Sequence, residues 1–349
     1  MSAPLFVTRD RSLLDELLRL AAAAGVTPDV AGEAATALRG WGTAPMVVLG
    51  ADVAGEVAGV APPRRPAVHL AGWAPVAPDL FRLAVEVGAE SVTALPEASA
   101  WLVQRLTDLG DPEPARGLLL GVVGGSGGAG ATTFACALGQ VAALSGLSLV
   151  VDADPLGPGV DRVLGVESRE GIRWDALART TGRLSARSLR DALPRRAGVG
   201  ALTWYAGSTA ALEPGAVREA LSAARRGHDT VVVDLPRSGD ALVDEVVARC
   251  DELLVLVVPT VAGVSSAARL CARYADVTPL GLVVRGSGID PSELCAVTGV
   301  PVRARMPDQR GMAESIDLGL GPVRSPRGPL GRTAAHVLAG AAVSARAAA

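Results

Sequence analysis

The stretch 124-GGSGGAGATT-133 decides how the rest of the chain is read. It follows an apolar run, 118-LLLGVV-123, and precedes 134-FACALG-139, which has helical spacing. A strand, a glycine loop and a helix in that order aim backbone N–H groups and a helix N-terminus at an anion. Gly125, four residues, then Gly130-Ala131-Thr132 fit the phosphate-loop pattern GxxxxGK[ST], with Ala131 where the lysine belongs. Gly125, Ser126, Gly127, Gly128, Ala129, Gly130, Ala131, Thr132 and Thr133 are therefore the candidate nucleotide-binding residues. The glycines permit positive φ and close approach of the backbone, and the Thr132 hydroxyl suits Mg²⁺. The missing ammonium would have neutralised the outer phosphates. A charge-assisted contact contributes ~1.5–3 kcal/mol, so weaker binding is expected, and transition-state stabilisation suffers further.

No lysine occurs anywhere in the 349 residues, and no asparagine; the 33 basic residues other than histidine are all arginine. Drift in a GC-rich genome explains this loss as readily as selection does, and no other lysine can take the loop's place. Hydrophobic residues make up 49% of the chain and charged ones 20%, which excludes global disorder. A net charge of −3 gives no overall attraction to nucleic acid or to an anionic membrane. The pairs Arg64-Arg65, Arg195-Arg196 and Arg225-Arg226 read as solvated surface. Cys136, Cys250, Cys271 and Cys295 form no CxxC, which points to buried free thiols in a reducing compartment. Residues 118–151 carry no charge and are long enough to span a bilayer. The glycines at their centre argue instead for strand, loop, helix and strand, because each costs a helix ~1 kcal/mol relative to alanine. The N-terminus meets charge by Arg9 and does not read as a signal peptide.

Two α/β units are expected. In residues 1–108, strands at 5–8, 45–50, 67–70 and 91–95 alternate with helices at 12–24, 79–87 and 96–109, with Ser12 as the first N-cap. The stretch 110-GDPEPARG-117 reads as linker, placed at 109–117. From 118 to 349 the pattern restarts, with strands at 118–123, 148–151, 202–205, 230–233, 253–258, 281–284 and 302–304. These strands are continuous apolar runs, as a parallel sheet covered on both faces requires.

Two carboxylate motifs follow the loop. In 151-VDADPLGPGVDRVLG-165, Asp152 and Asp154 fall at the end of one strand; in 231-VVVDLPRSGD-240, Asp234 falls at the end of another. Open α/β sheets bind ligands beyond the carboxyl ends of their strands. Carboxylates placed there can hold Mg²⁺ and orient a water.

The loop, these two motifs, 253-LLVLVVPTVAGVSSAARL-270 and 301-PVRARMPDQRGMAESIDLGLGP-322 together resemble the MinD/ParA family of deviant Walker A ATPases, whose loops read KGGxGK[ST]. The resemblance covers roughly residues 118–332. It implies a P-loop NTPase-like, mostly parallel sheet, with ATP or ADP and Mg²⁺ as cofactors. By it, Ser126 stands at the signature lysine that crosses an ATP-sandwiched dimer, and Ala131 at the phosphate lysine. Thr132 and Thr133 match the Mg²⁺- and phosphate-contacting pair, Asp154 the switch aspartate and Asp234 the Walker B aspartate. Asp154 and Asp234 would be the catalytic carboxylates, and with Thr132 the metal set. Pro307-Asp308 resembles the turn near the base. Arg285 lies where the family often has an adenine-reading asparagine.

The smaller N-terminal unit resembles a receiver-like, flavodoxin-like domain, an order similar to the CpaE/TadZ subgroup and to actinobacterial septum site-determining, CpaE-like proteins. A working receiver ends its third strand in a phosphate-accepting aspartate. Here Gly50 stands there, with Asp52 two residues on, Leu95-Pro96 in place of lysine-proline, and Asp10 as a relic of the acidic pocket. The unit reads as a pseudo-receiver used for docking; a generic flavodoxin-like domain is the alternative.

The resemblance implies a spatial regulator of septum placement or of Flp/Tad pilus-secretion machinery. Such a protein is cytoplasmic or peripheral at the inner face of the cell membrane, forms a homodimer and has protein partners in division or secretion complexes. An active ATPase with an arginine in the lysine's role, Arg237 by motif, is the second reading. A metabolic P-loop enzyme would converge substrate groups on the sheet top, but His69, His228 and His336 are scattered. No basic stripe supports nucleic-acid binding. The C-terminal 332-RTAAHVLAGAAVSARAAA-349 buries too little apolar area per turn for a membrane anchor and reads as a packed or frayed helix.

Overall fold

A computed structural model describes residues 3–110, 117–178, 184–208 and 212–348. It divides into two compact units, Met1–Pro112 and Glu113–Ala349. Most of the expected linker, residues 111–116, lies outside the described residues.

The first unit has strands β1 (Leu5–Val7), β2 (Asp29–Ala31), β3 (Val47–Gly50), β4 (Val68–Trp73) and β5 (Ser91–Leu95). Its helices are α1 (Arg11–Ala23), α2 (Ala34–Trp41), α3 (Ala51–Val60), α4 (Pro78–Val87) and α5 (Ser99–Gly110). The strands form one parallel sheet in the order β2-β1-β3-β4-β5. Side chains alternate between its faces: Leu5, Val7, Val47 and Leu49 pack on one side, Phe6, Met46 and Val48 on the other. Three elements escaped the sequence reading. β2 is only three residues long and two of them are exposed, α2 is alanine-rich, and α3 holds two glycines. The N-cap of α1 is Asp10, not Ser12; its carboxylate accepts from the backbone N–H groups of Ser12 and Leu13 at 2.9 and 3.2 Å.

The second unit contains β6 (Leu118–Gly124), β7 (Ser148–Asp152), β8 (Arg195–Arg196), β9 (Val199–Leu202), β10 (Thr230–Leu235), β11 (Glu252–Val257), β12 (Leu280–Arg285) and β13 (Val302–Met306). The helices are α6 (Ala131–Ala142), α7 (Val160–Leu164), α8 (Trp174–Leu177), α9 (Ala186–Ala192), α10 (Pro214–Gly227), α11 (Ala241–Val247), α12 (Val261–Tyr274), α13 (Pro291–Thr298), α14 (Met312–Asp317) and α15 (Pro329–Ala348). The strand order is β13-β12-β11-β6-β10-β7-β9-β8, parallel except for β8 against β9. Both faces are covered: Leu119, Val151, Val233 and Val255 join one core, Val122, Val150, Val232 and Leu254 the other. Residues 118–151 form β6, the loop, α6 and β7, and among the described residues no helix is long and apolar enough to cross a membrane.

Three expectations need correction. The strand expected at 202–205 runs instead over Val199–Leu202, because Thr203 turns inward to Asp152 and ends it. Arg195-Arg196 form β8 and are half-buried, with guanidinium groups on the carbonyls of Arg190 and Gly319. Arg225 makes a two-bond ion pair with Asp251 at 2.9 and 3.0 Å, so it is a tie between α10 and the start of β11 rather than solvated surface. Helix α15 packs Leu330, Ala334, Val337 and Ala341 inward. Cys136, Cys250 and Cys271 are buried free thiols and Cys295 is half-buried.

Candidate functional site

The loop between β6 and α6 keeps the shape that phosphate binding requires. Gly128 and Gly130 have φ of 72° and 92°, where a side chain would be strained. A Cβ at Gly125 would lie 2.8 Å from Ala267 Cβ and 2.9 Å from Leu256 O, so only glycine fits between the loop and α12. Gly125 N–H donates to Leu256 O at 2.7 Å and fixes the loop to β11. Gly127 and Gly128 are exposed, with nothing within 4 Å of an added Cβ. Together with the start of α6, where Gly130 is the N-cap and no side chain caps it, they form an open cradle with free backbone donors.

Asp152 and Asp234 are in-register partners on β7 and β10, so both side chains emerge on the α6 face. Both are buried. Burial, opposed by a hydrogen bond from the Thr132 hydroxyl and reinforced by the charges of Asp152 and Asp154, pushes the Asp234 carboxyl up to about 7. Burial pushes Asp152 up to about 6, against hydrogen bonds from the Thr203 hydroxyl and from the backbone N–H groups of Asp154 and Val160. Those three donors lie at 2.7, 3.1 and 3.2 Å. Asp152 therefore fastens the segment carrying Asp154 to the sheet. Asp154 itself is half-buried, and its carboxylate accepts from Leu156 N–H at 3.0 Å, a local turn bond.

The structure thus brings Thr132 and Asp234 together, with Asp152 and Asp154 beside them. A hydroxyl and carboxylates, all oxygen donors at the edge of an open anion cradle, match what Mg²⁺ takes when it binds through one or two protein groups and phosphate. Among the described residues no cluster of three or more His, Cys, Asp or Glu side chains could hold a metal alone. Ala131 at the first turn of α6 supplies no charge. Arg237 is exposed, and no hydrogen bond or ion pair ties it to the loop among the described residues. The arginine that reaches the loop is Arg285, which sequence reasoning placed near the base: its Nη1 donates to Gly128 O at 2.6 Å. Its strand, β12, is separated from the loop-bearing β6 by β11, so the contact depends on side-chain reach, which no sequence signal gave.

In the first unit, Asp52 sits in the first turn of α3 and turns back over the end of β3. It accepts from Thr8 Oγ1 at 2.7 Å and from the N–H groups of Arg9 and Asp10 at 2.7 and 3.2 Å. A Cβ at Gly50 would overlap this carboxylate. Asp10 faces its own helix as a cap rather than contributing to an acidic pocket.

The folds of both units define the class. The first is a CheY-like domain and the second a MinD/ParA P-loop NTPase-like domain. Residues 7–117 match the family model described as the Rv3660c-like, CheY-like N-terminal domain. The chain is 38% identical over 323 residues to the uncharacterized protein Rv3660c of Mycobacterium tuberculosis, covering 89% of this chain and 90% of that protein; it belongs to the Rv3660c-like family. Among solved structures, a ParA family ATPase from Chlorobium tepidum aligns with a TM-score of 0.56 at 19% identity, covering 64% of this chain and 98% of that one. MinD from the MinC:MinD complex of Aquifex aeolicus aligns at 0.53 and 19%, covering 66% and 95%. The septum site-determining protein MinD of Pyrococcus horikoshii, complexed with Mg-ADP, aligns at 0.53 and 19%, covering 63% and 93%. At these identities the likeness is one of fold.

Proposed function

We propose that the protein is a MinD/CpaE-like spatial regulator that holds ATP or ADP with Mg²⁺ weakly and hydrolyses ATP slowly or not at all. The observation that carries this reading is the contrast within one loop. The glycine conformations, the Gly125 anchor and the Thr132–Asp234 contact persist, while Ala131 and Ser126 leave the loop without its cations. Mg²⁺ would add positive charge between the phosphates and Asp234; Thr132 and Asp234 would hold it, and Asp154 would face its outer waters.

Such a protein acts through what it binds. Leu156, 94% exposed beside Asp154, offers a protein partner or a second copy of the chain an apolar contact at the rim of the cleft. The partners in this reading are division or Flp/Tad secretion proteins at the inner face of the cell membrane, with membrane contact through a partner rather than through α15. The CheY-like unit, its acceptor position occupied by glycine, serves docking rather than phosphorelay. The test is ATP hydrolysis by the purified full chain with Mg²⁺: phosphate release near buffer background is expected. Turnover comparable to that of a lysine-bearing MinD-fold ATPase would remove the regulator-without-hydrolysis reading.

A further inference from the structure

A groove of about 720 Å³ runs between α12 and α13 in the second unit. Val261, Val264, Ala268 and Ala272 line it at helical spacing, so one face of α12 forms its first wall. Ala267 lies on a different face and packs toward Gly125 of the phosphate loop. The second wall comes from Val297 of α13 and from Ile289 just before that helix. Val264 and Ile289 are half-buried, while Val261 and Val297, both large and apolar, are 89% and 61% exposed. The lining holds no aspartate or glutamate, and its single charged residue is Arg269, one turn after Ser265 on the rim. Among the described residues Arg269 has no hydrogen bond or ion pair. Arg273, one turn further on, is by contrast held by Asp244 at 2.8 Å.

We infer that this groove binds a medium-chain carboxylate, with its tail between α12 and α13 and its head group on Arg269. The inference does not depend on nucleotide holding. Small-molecule sites are concave and mostly apolar, of roughly 300–1,000 Å³, with a few polar groups that fix orientation. The groove has that size and that lining. A guanidinium fork matches a carboxylate with two parallel N–H···O bonds. One unpaired cation balances a monoanion, whereas a phosphate dianion would keep a charge uncompensated, since no second cation lines the groove. Tail length follows from the helix: Arg269 and Val261 are separated by roughly 12 Å along α12 at about 1.5 Å per residue, the span of an extended chain of about ten carbons.

The experiment is calorimetric titration of the full chain with hexanoate, octanoate, decanoate and dodecanoate, with decanol as the uncharged control. Affinity should rise about twofold for each added methylene up to decanoate, as half-burial of each group produces, and gain little more at dodecanoate. Decanol should bind at least about tenfold more weakly than decanoate, and Arg269→Gln should remove that difference. Ala268→Phe fills the groove and should abolish decanoate binding. Circular dichroism melts check that both variants fold, and Arg269→Gln, at an exposed position, reads the head-group contact without that packing change. Absence of saturable decanoate binding, decanol binding as tightly as decanoate, or an affinity unchanged in Arg269→Gln overturns the inference. A groove that holds a second copy of the chain overturns it too: sedimentation would then show a wild-type dimer that Ala268→Phe converts to monomer, and decanoate would not bind.

Discussion

Asp152 and Asp234 stand opposite each other on adjacent parallel strands, and both carboxyl groups titrate above the usual aspartate range, near 6 and 7. Burial is the main cause for each, and the neighbouring carboxylates add repulsion. A bound cation reverses that balance by favouring the ionised forms. Mg²⁺ should therefore compete with protons at this site. Its effect on nucleotide affinity should be large at about pH 8 and shrink toward pH 5.5. A Mg²⁺ dependence that is flat across this range would contradict the assignment of Asp234 to the metal.

The same groups set a stability window. Below the ordinary aspartate pKa, about 4, folded and unfolded chains both carry these carboxyls protonated. As pH rises through about 6 and 7 the unfolded chain is already ionised while the folded one resists, so their contribution to stability is lost. Asp234→Asn should melt higher than the wild type at about pH 8, by roughly 2–4 kcal/mol in unfolding free energy, with the difference vanishing near pH 4. His228 works in the opposite direction: burial lowers it to about 4, so its stabilising contribution is lost as pH falls. Both proteins retain His228, so the comparison between them isolates Asp234. Equal melting at high pH would sink the burial argument.

Gly125 and Gly127 should separate packing from loop shape. Gly125→Ala drives a methyl into Ala267 and the Leu256 carbonyl and should cost about 1–3 kcal/mol. Gly127→Ala meets nothing within 4 Å and should stay within about 0.5 kcal/mol of wild type. Urea unfolding midpoints measure both; equal costs would mean that the loop does not pack against α12.

At the CheY-like unit, a small-molecule phosphoryl donor should label neither the wild type nor Asp52→Ala. Gly50→Asp alone should destabilise the domain, because the new side chain overlaps both the Thr8 side chain and the Asp52 carboxylate that holds Thr8 and the Arg9 and Asp10 amides. Combining Gly50→Asp with Asp52→Ala should recover only part of that loss, because the overlap with Thr8 remains. Mass spectrometry and thermal melts read the two effects, and labelling of wild-type Asp52 would contradict the docking-only role.

The sheet of the second unit was legible because its strands are uninterrupted apolar runs, such as 231-VVV-233 and 253-LLVLVV-258, and because glycines and aspartates punctuate their ends. Even Asp234 could be placed, since a carboxylate that closes a buried apolar run must emerge at the carboxyl edge of the sheet. Elements whose stability comes from neighbours were not legible. β8 is two arginines paired to β9, and β2 is a short strand with most of its residues exposed. Side-chain reach was also hidden. Arg285 touches the phosphate loop across 157 residues of chain, and Arg237, closer by motif, does not. Spacing along a strand locates a residue at the sheet top but not its side-chain reach: Arg237 follows β10, the direct neighbour of β6, while Arg285 ends β12 on the far side of β11, and it is Arg285 that meets the loop.

The most direct test is calorimetric binding of ADP and ATP with Mg²⁺ to the wild type beside Ala131→Lys. If the proposed cradle around residues 125–133 lacks only its cation, the variant should bind about 10–100-fold tighter, as one added charge-assisted contact would produce. An Ala131→Lys variant that folds normally and gains no affinity would contradict the account, because the pocket itself, and not its charge, would then have been lost.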